Sequence, residues 1–256
     1  MIKTIKNFFQ QKEIVNKNPK LSLDAINLLS GIFDCNTLKS INEIEVATQL
    51  NDFLGFYPHL DPQKNWDTLK SVFYILRECN CDLPVLDAGG SLDSSVLNSL
   101  AKYGYNDLYA CDIIDMTRYS KLKNSKVKFT IQNVENTNYE NDYFQAIVSL
   151  SVIEHGVHIE KFFDEMNRIL KKNGLLLITT DYWNDNINCD GIYPYGTDKP
   201  QMKIFKKEEI ETICDIAVKN GFSLCSPLKT DTFKKAVRWE AVDREYTFIF
   251  LAFRKN

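Results

Sequence analysis

Two aspartates, each at the end of a short apolar run, are the first residues of this sequence that could do chemistry. Asp87 follows Pro84-Val85-Leu86, and Asp112 follows Leu108-Tyr109-Ala110-Cys111. Successive parallel strands end at one edge of a sheet, where nucleotides bind, so we expect both carboxylates at that edge. The first can attract the ammonium end of an amino acid, directly or through water. The second, about 20 residues beyond a glycine pair, can accept hydrogen bonds from both hydroxyls of a ribose.

The loop after the first run reads Asp87-Ala88-Gly89-Gly90-Ser91-Leu92-Asp93 and leads toward a helix. Two adjacent glycines let the backbone approach a ligand closely. The alternative is a tight strand-to-helix turn in which the carboxylate caps the helix. A dinucleotide fingerprint would have a third glycine where Ser94 stands, and a Gly-Lys-Ser/Thr phosphate loop is also missing from the sequence. The loop therefore disfavours a dinucleotide as the ligand.

His155 is the candidate general base. It follows the apolar run Ala146-Ile147-Val148-Ser149-Leu150 and is expected at the same edge of the sheet, where a neutral imidazole can take a proton near pH 7. In the alternative interpretation, Glu154 and His155 cap or brace the neighbouring loop. A third interpretation is a metal shared by Glu154, His158 and Asp181. Our prediction is that the chain has no metal site.

Short apolar runs alternate with amphipathic stretches after Pro84, which is the pattern of a parallel sheet with crossover helices. The sequence therefore predicts the α/β class, with helices flanking the sheet. The predicted strands span residues 84–87, 108–111, 127–131, 146–150, 175–179 and 246–253. A helix capped by Asp93 or Ser94 is predicted between the first two strands.

Helical spacing of apolar residues predicts the remaining elements. Residues 1–80 are predicted to form an N-terminal helical cap that lacks strands. The clearest helix of the core begins at Ile159, and we predict that Lys171-Lys172 occupies its last turn and that Asn173-Gly174 ends it. A further helix is predicted from Glu208 to Asn220.

Length and composition limit what the chain can be. Its 256 residues, 44% of them hydrophobic, support a core at 81–256 with the cap segment 1–80 added to it. The net charge of -3 provides no field that would gather nucleic acid. No apolar stretch approaches the ~20 residues needed to span a membrane. The seven scattered cysteines fit neither a disulfide framework nor a zinc site, and they predict a reducing, cytoplasmic location.

Residues 83–224 resemble the class I S-adenosylmethionine-dependent methyltransferases. Three short segments are similar to the family's first motif, its ribose-binding acid and its adenine-contact segment, in this order: Val85-Leu86-Asp87-Ala88-Gly89-Gly90, Ala110-Cys111-Asp112-Ile113 and Gln132-Asn133-Val134-Glu135. The most specific likeness is to the family's fourth and fifth strand region. It comprises residues 146–155 and residues 168–178.

The resemblance implies a Rossmann-like sheet of seven strands, the last one antiparallel between strands five and six, and S-adenosyl-L-methionine as the cofactor. It also implies the cofactor-binding residues Asp87, Gly89, Gly90, Ser91, Asp112, Ile113, Asn133, Val134 and Leu150. The chain departs from the family pattern where Ser91 and Asp93 replace loop glycines and where Asn133 replaces an aspartate. The amide oxygen of Asn133 can still accept a hydrogen bond from an exocyclic amine.

The acceptor of the methyl group is expected between two rim loops, at 181–204 and 228–243. Aromatic faces and hydroxyls at Tyr182, Trp183 and Tyr195 suit a sugar or another polar small molecule, and Arg238 would favour an anionic group. The alternative is that these rings only pack in the interior. The rim also resembles bacterial methyltransferases that modify surface-polysaccharide precursors, which implies a sugar hydroxyl or a phosphate-type oxygen as acceptor.

O-methylation of such a small molecule is the first functional hypothesis. N-methylation of a small amine is an alternative within the same class. A nicotinamide-dependent oxidoreductase is an alternative from another class, disfavoured by the glycine pattern. The last alternative is a protein with this fold that binds the cofactor but does not catalyse a reaction. It is suggested by Ser91 and Asp93, which replace loop glycines. The predicted partner is a small-molecule acceptor, and the sequence predicts no oligomeric state.

Overall fold

The computed structural model describes residues 22–115, 117–121, 126–193, 196–198 and 200–256. Within them the α-helices are α1 (Leu23–Ser30), α2 (Ile41–Leu54), α3 (Asn65–Glu78), α4 (Ser95–Lys102), α5 (Ile159–Ile169) and α6 (Lys207–Lys219). The strands are β1 (Cys35–Thr37), β2 (Val85–Ala88), β3 (Leu108–Asp112), β4 (Lys128–Ile131), β5 (Phe144–Leu150), β6 (Leu170–Tyr182), β7 (Phe222–Leu224), β8 (Leu228–Lys229), β9 (Val237–Trp239) and β10 (Arg244–Lys255). None of these helices is long and apolar enough to cross a membrane.

The strands form one sheet in the order β4-β3-β2-β5-β6-β10-β1-β8, and β7 and β9 also pair with β10. The strands from β4 to β6 run parallel. β10 runs antiparallel to β6, with Ile249 opposite Thr180. The predicted Rossmann-like α/β sheet with an antiparallel last strand is confirmed. The described residues form ten strands rather than seven, because the short strands β1, β8 and β9 extend the sheet.

Alternating side chains explain why helices cover both faces of this sheet. Along β6, Leu175 and Leu177 belong to the apolar core on one face, whereas Leu176 and Ile178 belong to the core on the other. The first core contains residues of α1, α2, α3 and α4, and the second contains residues of α5 and α6. A strand that is buried on both faces has a continuous run of apolar residues in its sequence, and these runs made the strands predictable.

The N-terminal part of the described chain contains a strand as well as helices, so the prediction that residues 1–80 lack strands is wrong. β1 pairs antiparallel with β10, with Asn36 opposite Phe250, and it pairs parallel with β8. Three residues are too few to show the alternation from which a strand is predicted. The edge of β10 offers unpaired backbone groups, and β1 satisfies them.

The helix that follows β5 ends earlier than the sequence predicts. α5 ends at Ile169 and β6 begins at once with Leu170, so Lys171-Lys172 and Asn173-Gly174 do not close the helix. In the pairing of β5 with β6, Phe144 is opposite Leu170 and Ala146 is opposite Leu175, which leaves 171–174 as an irregularity of the ladder. Asn173 adopts a φ of 62° there. Asn173-Gly174 therefore lies within strand β6 and does not end a helix.

The two predicted rim loops are partly strand. The segment 228–243 contains β8, β9 and a 3-10 turn at Glu240–Val242. β9 pairs with the first residues of β10, with Trp239 opposite Arg244. The segment 181–204 begins with the last two residues of β6. β8 and the end of β6 pair with strands that are distant in sequence, whereas β9 forms a hairpin with the adjoining β10.

Candidate functional site

A cavity of about 500 Å³ lies at the carboxyl ends of β2, β3, β4 and β5. Its volume falls in the range of small-molecule sites. The cavity brings together all the residues that the resemblance assigns to the cofactor: Asp87, Gly89, Gly90, Ser91, Asp112, Ile113, Asn133, Val134 and Leu150. His155, the candidate base, also lines the cavity. The sheet therefore places these separated segments around one space.

The glycine pair after β2 fits tightly against the site. Gly89 has a φ of 89°, and its N–H donates to the carbonyl oxygen of Cys111 at 2.8 Å. A Cβ atom on Gly89 would overlap the Val152 side chain, and one on Gly90 would overlap the Asp87 carboxylate. Both positions require glycine, because any side chain would displace a group that lines the cavity.

Asp87 is held in place by the start of α4. Ser94 Oγ donates to Asp87 Oδ2 at 2.5 Å and accepts from the Leu97 N–H at 3.2 Å, so one hydroxyl both caps the helix and fixes the carboxylate. Burial raises the pKa of Asp87 to about 6, with the Ser94 hydrogen bond acting against it and the charge of Asp112 adding to it. At neutral pH the carboxylate is ionised and suits an ammonium group.

The raised pKa of Asp87 makes cofactor binding depend on pH. As the pH falls through about 6, the carboxyl becomes protonated and no longer attracts an ammonium group. We expect S-adenosylhomocysteine to bind about tenfold more weakly at pH 5 than at pH 8, measured by titration calorimetry. Asp87→Asn should bind weakly at both pH values. A wild-type affinity that stays level across this range would contradict the assignment of Asp87 to the ammonium group.

The end of β3 combines a carboxylate with exposed apolar side chains. Asp112 Oδ1 accepts from the Ile114 N–H at 2.8 Å. Burial raises the pKa of Asp112, and the amides of Ile114 and Ile113 and the nearby His155 lower it. Ile113 is 64% exposed although it borders the cavity. A bound nucleoside would cover this apolar surface while Asp112 accepted from its ribose.

Asn133 and Val134 follow β4 and form the wall beyond Asp112. Asn133 Oδ1 accepts from the Glu135 N–H at 2.9 Å, which fixes the amide and leaves its NH₂ group and a second oxygen lone pair for a ligand. Val134 is buried. Glu135 also lines the cavity, and its Oε1 accepts from the His158 N–H at 2.8 Å. This wall can hold a flat base.

The two positions that depart from the family's glycine pattern take part in local hydrogen bonds. Ser91 Oγ accepts from the Asp93 N–H at 3.2 Å. Asp93 in turn accepts from the Ser120 hydroxyl and from the Lys121 N–H, both at 2.9 Å. Ser91 therefore stabilises the loop itself, and Asp93 connects the loop to the segment that follows β3. The loop still borders the cavity.

The N-terminal segment supplies a part of the cavity wall that sequence reasoning missed. His59, Leu60 and Lys64 line the cavity. The Lys64 ammonium pairs with the fully buried Asp67 and donates to Ser151 Oγ at 2.6 Å. No local pattern around Lys64 shows that it reaches β5. The feature of the sequence that could have drawn attention to this segment is His59, which is one of 3 histidines in the chain.

The loop that carries His155 is fixed on both sides. The His155 N–H donates to the Val152 carbonyl oxygen at 3.1 Å. The next residue, Gly156, has a φ of 81°, and a Cβ atom there would overlap Pro200. Pro200 lines the cavity too, so the rim loop 181–204 meets the site at this residue.

Behind this loop lies a pair of buried carboxyls, Glu154 and Asp181. Glu154 Oε2 accepts from the Thr180 hydroxyl at 3.0 Å. Burial raises the pKa of Asp181 well above its ordinary value, and the charge of Glu154 raises it further. Glu154 Oε1 is buried and has no hydrogen-bond partner among the described residues.

The residues predicted to contact the acceptor are not among the described residues that line the cavity. Tyr182 is fully buried, and its hydroxyl donates to the Thr230 carbonyl oxygen at 3.1 Å. Trp183 lies under the Lys235 ammonium, 5.1 Å from its ring centroid. Arg238 forms surface ion pairs with Glu240, Asp243 and Glu245. Tyr195 lies outside the described residues.

The metal interpretation gains no support from the structure. Among the described residues, no group of three or more His, Cys, Asp and Glu side chains is placed to hold a metal ion. The exposed His158 instead lies with its Nδ1 3.3 Å from Glu160 Oε2. Glu154 and Asp181 are buried on the other side of the loop.

The residues present fit an adenosyl amino acid. The cavity has a carboxylate at the end of β2, a second at the end of β3, and apolar side chains next to the second. The glycine pair leaves room where a side chain would overlap the first carboxylate. These features match an ammonium group, a ribose and a base in that order along the sheet.

A comparison with protein families agrees with this site. Residues 86–178 match a family described as "Methyltransferase domain". The match runs from β2 through β6 and includes the ends of the strands that border the cavity. No curated protein sequence matches the chain.

Solved structures share the fold. An S-adenosylmethionine-dependent methyltransferase from Mesorhizobium loti has a TM-score of 0.51 at 10% identity, over 74% of this chain and 98% of that chain. One from Methanosarcina mazei has a TM-score of 0.51 at 15% identity, over 71% and 96%. The 1,6-didemethyltoxoflavin-N1-methyltransferase of Burkholderia thailandensis, with its bound substrate and S-adenosylhomocysteine, has a TM-score of 0.51 at 15% identity, over 86% and 92%.

The sheet order and the paired carboxylates at the strand ends define a Rossmann-like, nucleoside-binding protein. The family match covers residues 86–178 of the 256-residue chain. Together with the fold, it supports a class I S-adenosylmethionine-dependent methyltransferase that uses S-adenosyl-L-methionine as its cofactor.

Proposed function

We propose that this methyltransferase transfers a methyl group to an oxygen of a small polar acceptor, such as a sugar or phosphate-type group of a surface-polysaccharide precursor. The observation that carries the proposal is the make-up of the cavity. Beyond the residues suited to the cofactor, it is lined by polar groups that a hydroxyl compound can contact, among them His59, Lys64 and Ser151. The sequence-based predictions of a cytoplasmic location and of no nucleic-acid partner form part of this proposal.

Charge on the cavity wall favours a neutral sugar over a phosphate-type group. Lys64 is a cation, but Asp67 already pairs with it. Asp87, Asp112 and Glu135 place carboxylates on the wall. An anionic acceptor would therefore find no unpaired cation among the described lining residues and would be repelled by the carboxylates.

In this scheme, the chain binds its cofactor with residues from three strand ends. Asp112 accepts from the ribose hydroxyls, Asp87 attracts the ammonium group, and Asn133 contacts the adenine. When bound, S-adenosylmethionine supplies an electrophilic methyl group. The chain must then orient the acceptor, exclude water and accept the acceptor's proton. His155 and His59 both line the cavity, each with an imidazole able to take that proton, and His155 is the base predicted from the sequence.

A small amine is the second candidate acceptor. The carboxylate of Glu135, which lines the cavity and is not assigned to the cofactor, would attract a protonated amine. The Burkholderia thailandensis neighbour is an N1-methyltransferase. An amine must lose its proton before it can act as a nucleophile, so this reaction also needs a base at the site.

A labelling experiment distinguishes these acceptors. The purified chain is incubated with trideuteromethyl S-adenosylmethionine and, in separate reactions, with methyl α-D-glucopyranoside, glucose 1-phosphate or ethanolamine. Mass spectrometry then detects the trideuteromethyl group in the product, and reactions without protein provide the control. We expect label on the neutral glucoside. Label on ethanolamine alone would establish N-methylation, and no label on any compound, with S-adenosylhomocysteine still bound, would contradict a small sugar-like acceptor.

A further inference from the structure

The positions of the histidines along the cavity bear on which imidazole takes the acceptor's proton. Of the 3 histidines in the chain, His59 and His155 line the cavity. The third, His158, has a side chain that is 55% exposed and lies beside Glu160. The two cavity histidines come from distant parts of the sequence, one from the N-terminal segment and one from the loop after β5.

His155 lies at the ribose end of the cavity. The loop that carries His155 leaves β5 and runs toward the wall beyond Asp112, where the His158 N–H donates to Glu135 Oε1 at 2.8 Å, and His155 is among the groups that lower the pKa of Asp112. Asp112 is the carboxylate suited to a ribose. An imidazole in this place can support the nucleoside, but it is near the part of the cofactor that does not react.

His59 lies at the other end. Its backbone N–H donates to the side chain of Asn65, and the adjoining Lys64 ammonium donates to Ser151 Oγ at 2.6 Å and to Thr179 Oγ1 at 3.4 Å. Ser151 follows β5, and Thr179 belongs to β6. The strand order is β3-β2-β5-β6, and adjacent strands are about 4.8 Å apart, so Lys64 lies roughly 10–14 Å from the end of β3.

The direction of the cofactor follows from the same order. Asn133, which suits the adenine, follows β4; Asp112, which suits the ribose, ends β3; and Asp87, which suits the ammonium group, lies in β2. The side of the cavity beyond β2, toward β5 and β6, is therefore the side on which an acceptor can enter. His59 borders that side.

The His59 ring is fixed by local contacts. Its backbone N–H donates to Asn65 Oδ1 at 3.0 Å, and its Nδ1 lies 3.0 Å from both the carbonyl oxygen and the backbone nitrogen of Asp61. With the proton on Nδ1, the ring donates to the carbonyl oxygen and Nε2 is an acceptor; with the proton on Nε2, Nδ1 accepts from the Asp61 N–H. Only the first tautomer can take a proton on Nε2. Burial lowers the pKa of His59, Asp67 and Asp61 raise it, and Lys64 lowers it, so the ring is neutral near pH 7.

On the basis of the proposed function, we propose that His59 faces the reacting centre and takes the acceptor's proton, whereas His155 belongs to the ribose end. In that step the proton of the acceptor O–H passes to His59 Nε2, and the acceptor oxygen forms a bond to the methyl carbon. The carbon–sulfur bond breaks, and its electron pair stays on sulfur. His59 then releases the proton to water.

The test uses the difference between S-adenosylmethionine and S-adenosylhomocysteine, which is one methyl group and one positive charge on sulfur. The full chain is labelled with ¹³C,¹⁵N-histidine, and its three ring signals are assigned from His59→Gln, His155→Gln and His158→Gln. Each ring is then titrated by NMR with either compound at saturation. We expect the pKa of His59 to be about 0.5 lower with the sulfonium, because an adjacent cation disfavours protonation. The pKa of His155 should be nearly equal in the two complexes, and exposed His158 serves as the control.

The same spectra report the tautomer. Above its pKa, the ¹⁵N shifts of His59 should show the proton on Nδ1 and Nε2 unprotonated. The proposal is overturned if His155 alone senses the sulfonium, if neither ring does, or if the proton of His59 is on Nε2. Failure of the proposed function looks different, since the labelling experiment would then place no trideuteromethyl group on the glucoside although both compounds still bind.

Discussion

Replacing Gly90 by alanine is expected to raise the dissociation constant of S-adenosylhomocysteine about 10- to 150-fold, the cost of losing one hydrogen bond to a charged group. A Cβ atom at Gly90 would overlap the carboxylate of Asp87. Ser94 holds that carboxylate from the other side. Asp87 must therefore turn away from the cavity, and its contact with the ammonium group is lost. Titration calorimetry measures the change.

The chain offers a matched control for this variant. At Gly31 a Cβ atom would have Asp34 Oδ2 as its nearest neighbour, at 3.5 Å, and φ there is -102°, so Gly31→Ala should leave affinity unchanged. In an Asp87→Ala background, Gly90→Ala should cost little more, because no carboxylate remains to be displaced. A Gly90→Ala protein that folds and binds S-adenosylhomocysteine as tightly as wild type would refute this role for Asp87.

Removing the Asp67 carboxylate should destabilise the chain by about 3–5 kcal/mol, the usual cost of breaking a buried ion pair. Asp67 is fully buried, pairs with the Lys64 ammonium, and accepts from the Thr179 hydroxyl at 2.8 Å. Asp67→Ala leaves the ammonium with two hydroxyl groups and the Phe248 ring but no carboxylate. The free energy of unfolding, from urea titration, should fall by this amount, because the pair fixes the N-terminal segment to β6.

An exposed ion pair provides the comparison. Asp34 lies 2.7 Å from the Lys229 ammonium at the surface, and Asp34→Ala should cost about 0–1 kcal/mol. A double variant, Lys64→Met with Asp67→Leu, should recover most of the stability because neither charge is then left buried alone. A loss for Asp67→Ala no larger than that for Asp34→Ala would show that the buried pair does not hold the segment in place.

The parts of the fold that the sequence predicted are those with local signals. Apolar runs gave β2, β3, β4, β5 and β10 within a few residues, and a serine before an apolar face gave the start of α4 at Ser94. These patterns arise from contacts within one element or from burial on both faces of a strand. The carboxylates at the ends of β2 and β3 were predictable for the same reason.

The parts that were not predicted depend on contacts between distant residues. β1 is a strand because of β10, more than 200 residues later in the chain. Lys64 lines the cavity because of Asp67 and the hydroxyls of Ser151 and Thr179. Asp67 is only three residues away, but the contacts with Ser151 and Thr179 cannot be seen from the residues around Lys64. The N-terminal wall of the site, including His59, could therefore not be found from local patterns.

Competition between turn signals and strand pairing explains why α5 ends earlier than the sequence predicts. Asn173-Gly174 is a common helix stop, but Leu170 pairs opposite Phe144 and begins β6. Pairing with β5 and β10 makes β6 thirteen residues long. The same extension includes Tyr182 in a strand and buries its ring, which is why an aromatic residue expected at the rim packs in the interior.

A crystal structure of the full chain with S-adenosylhomocysteine tests the central claim most directly. We expect the ribose hydroxyls to lie within hydrogen-bonding distance of Asp112 and the ammonium group to lie beside Asp87, directly or through one water. The sulfur should then lie nearer to His59 than to His155. A complex in which the nucleoside occupies another part of the molecule, with the space between the two carboxylates closed, would contradict it.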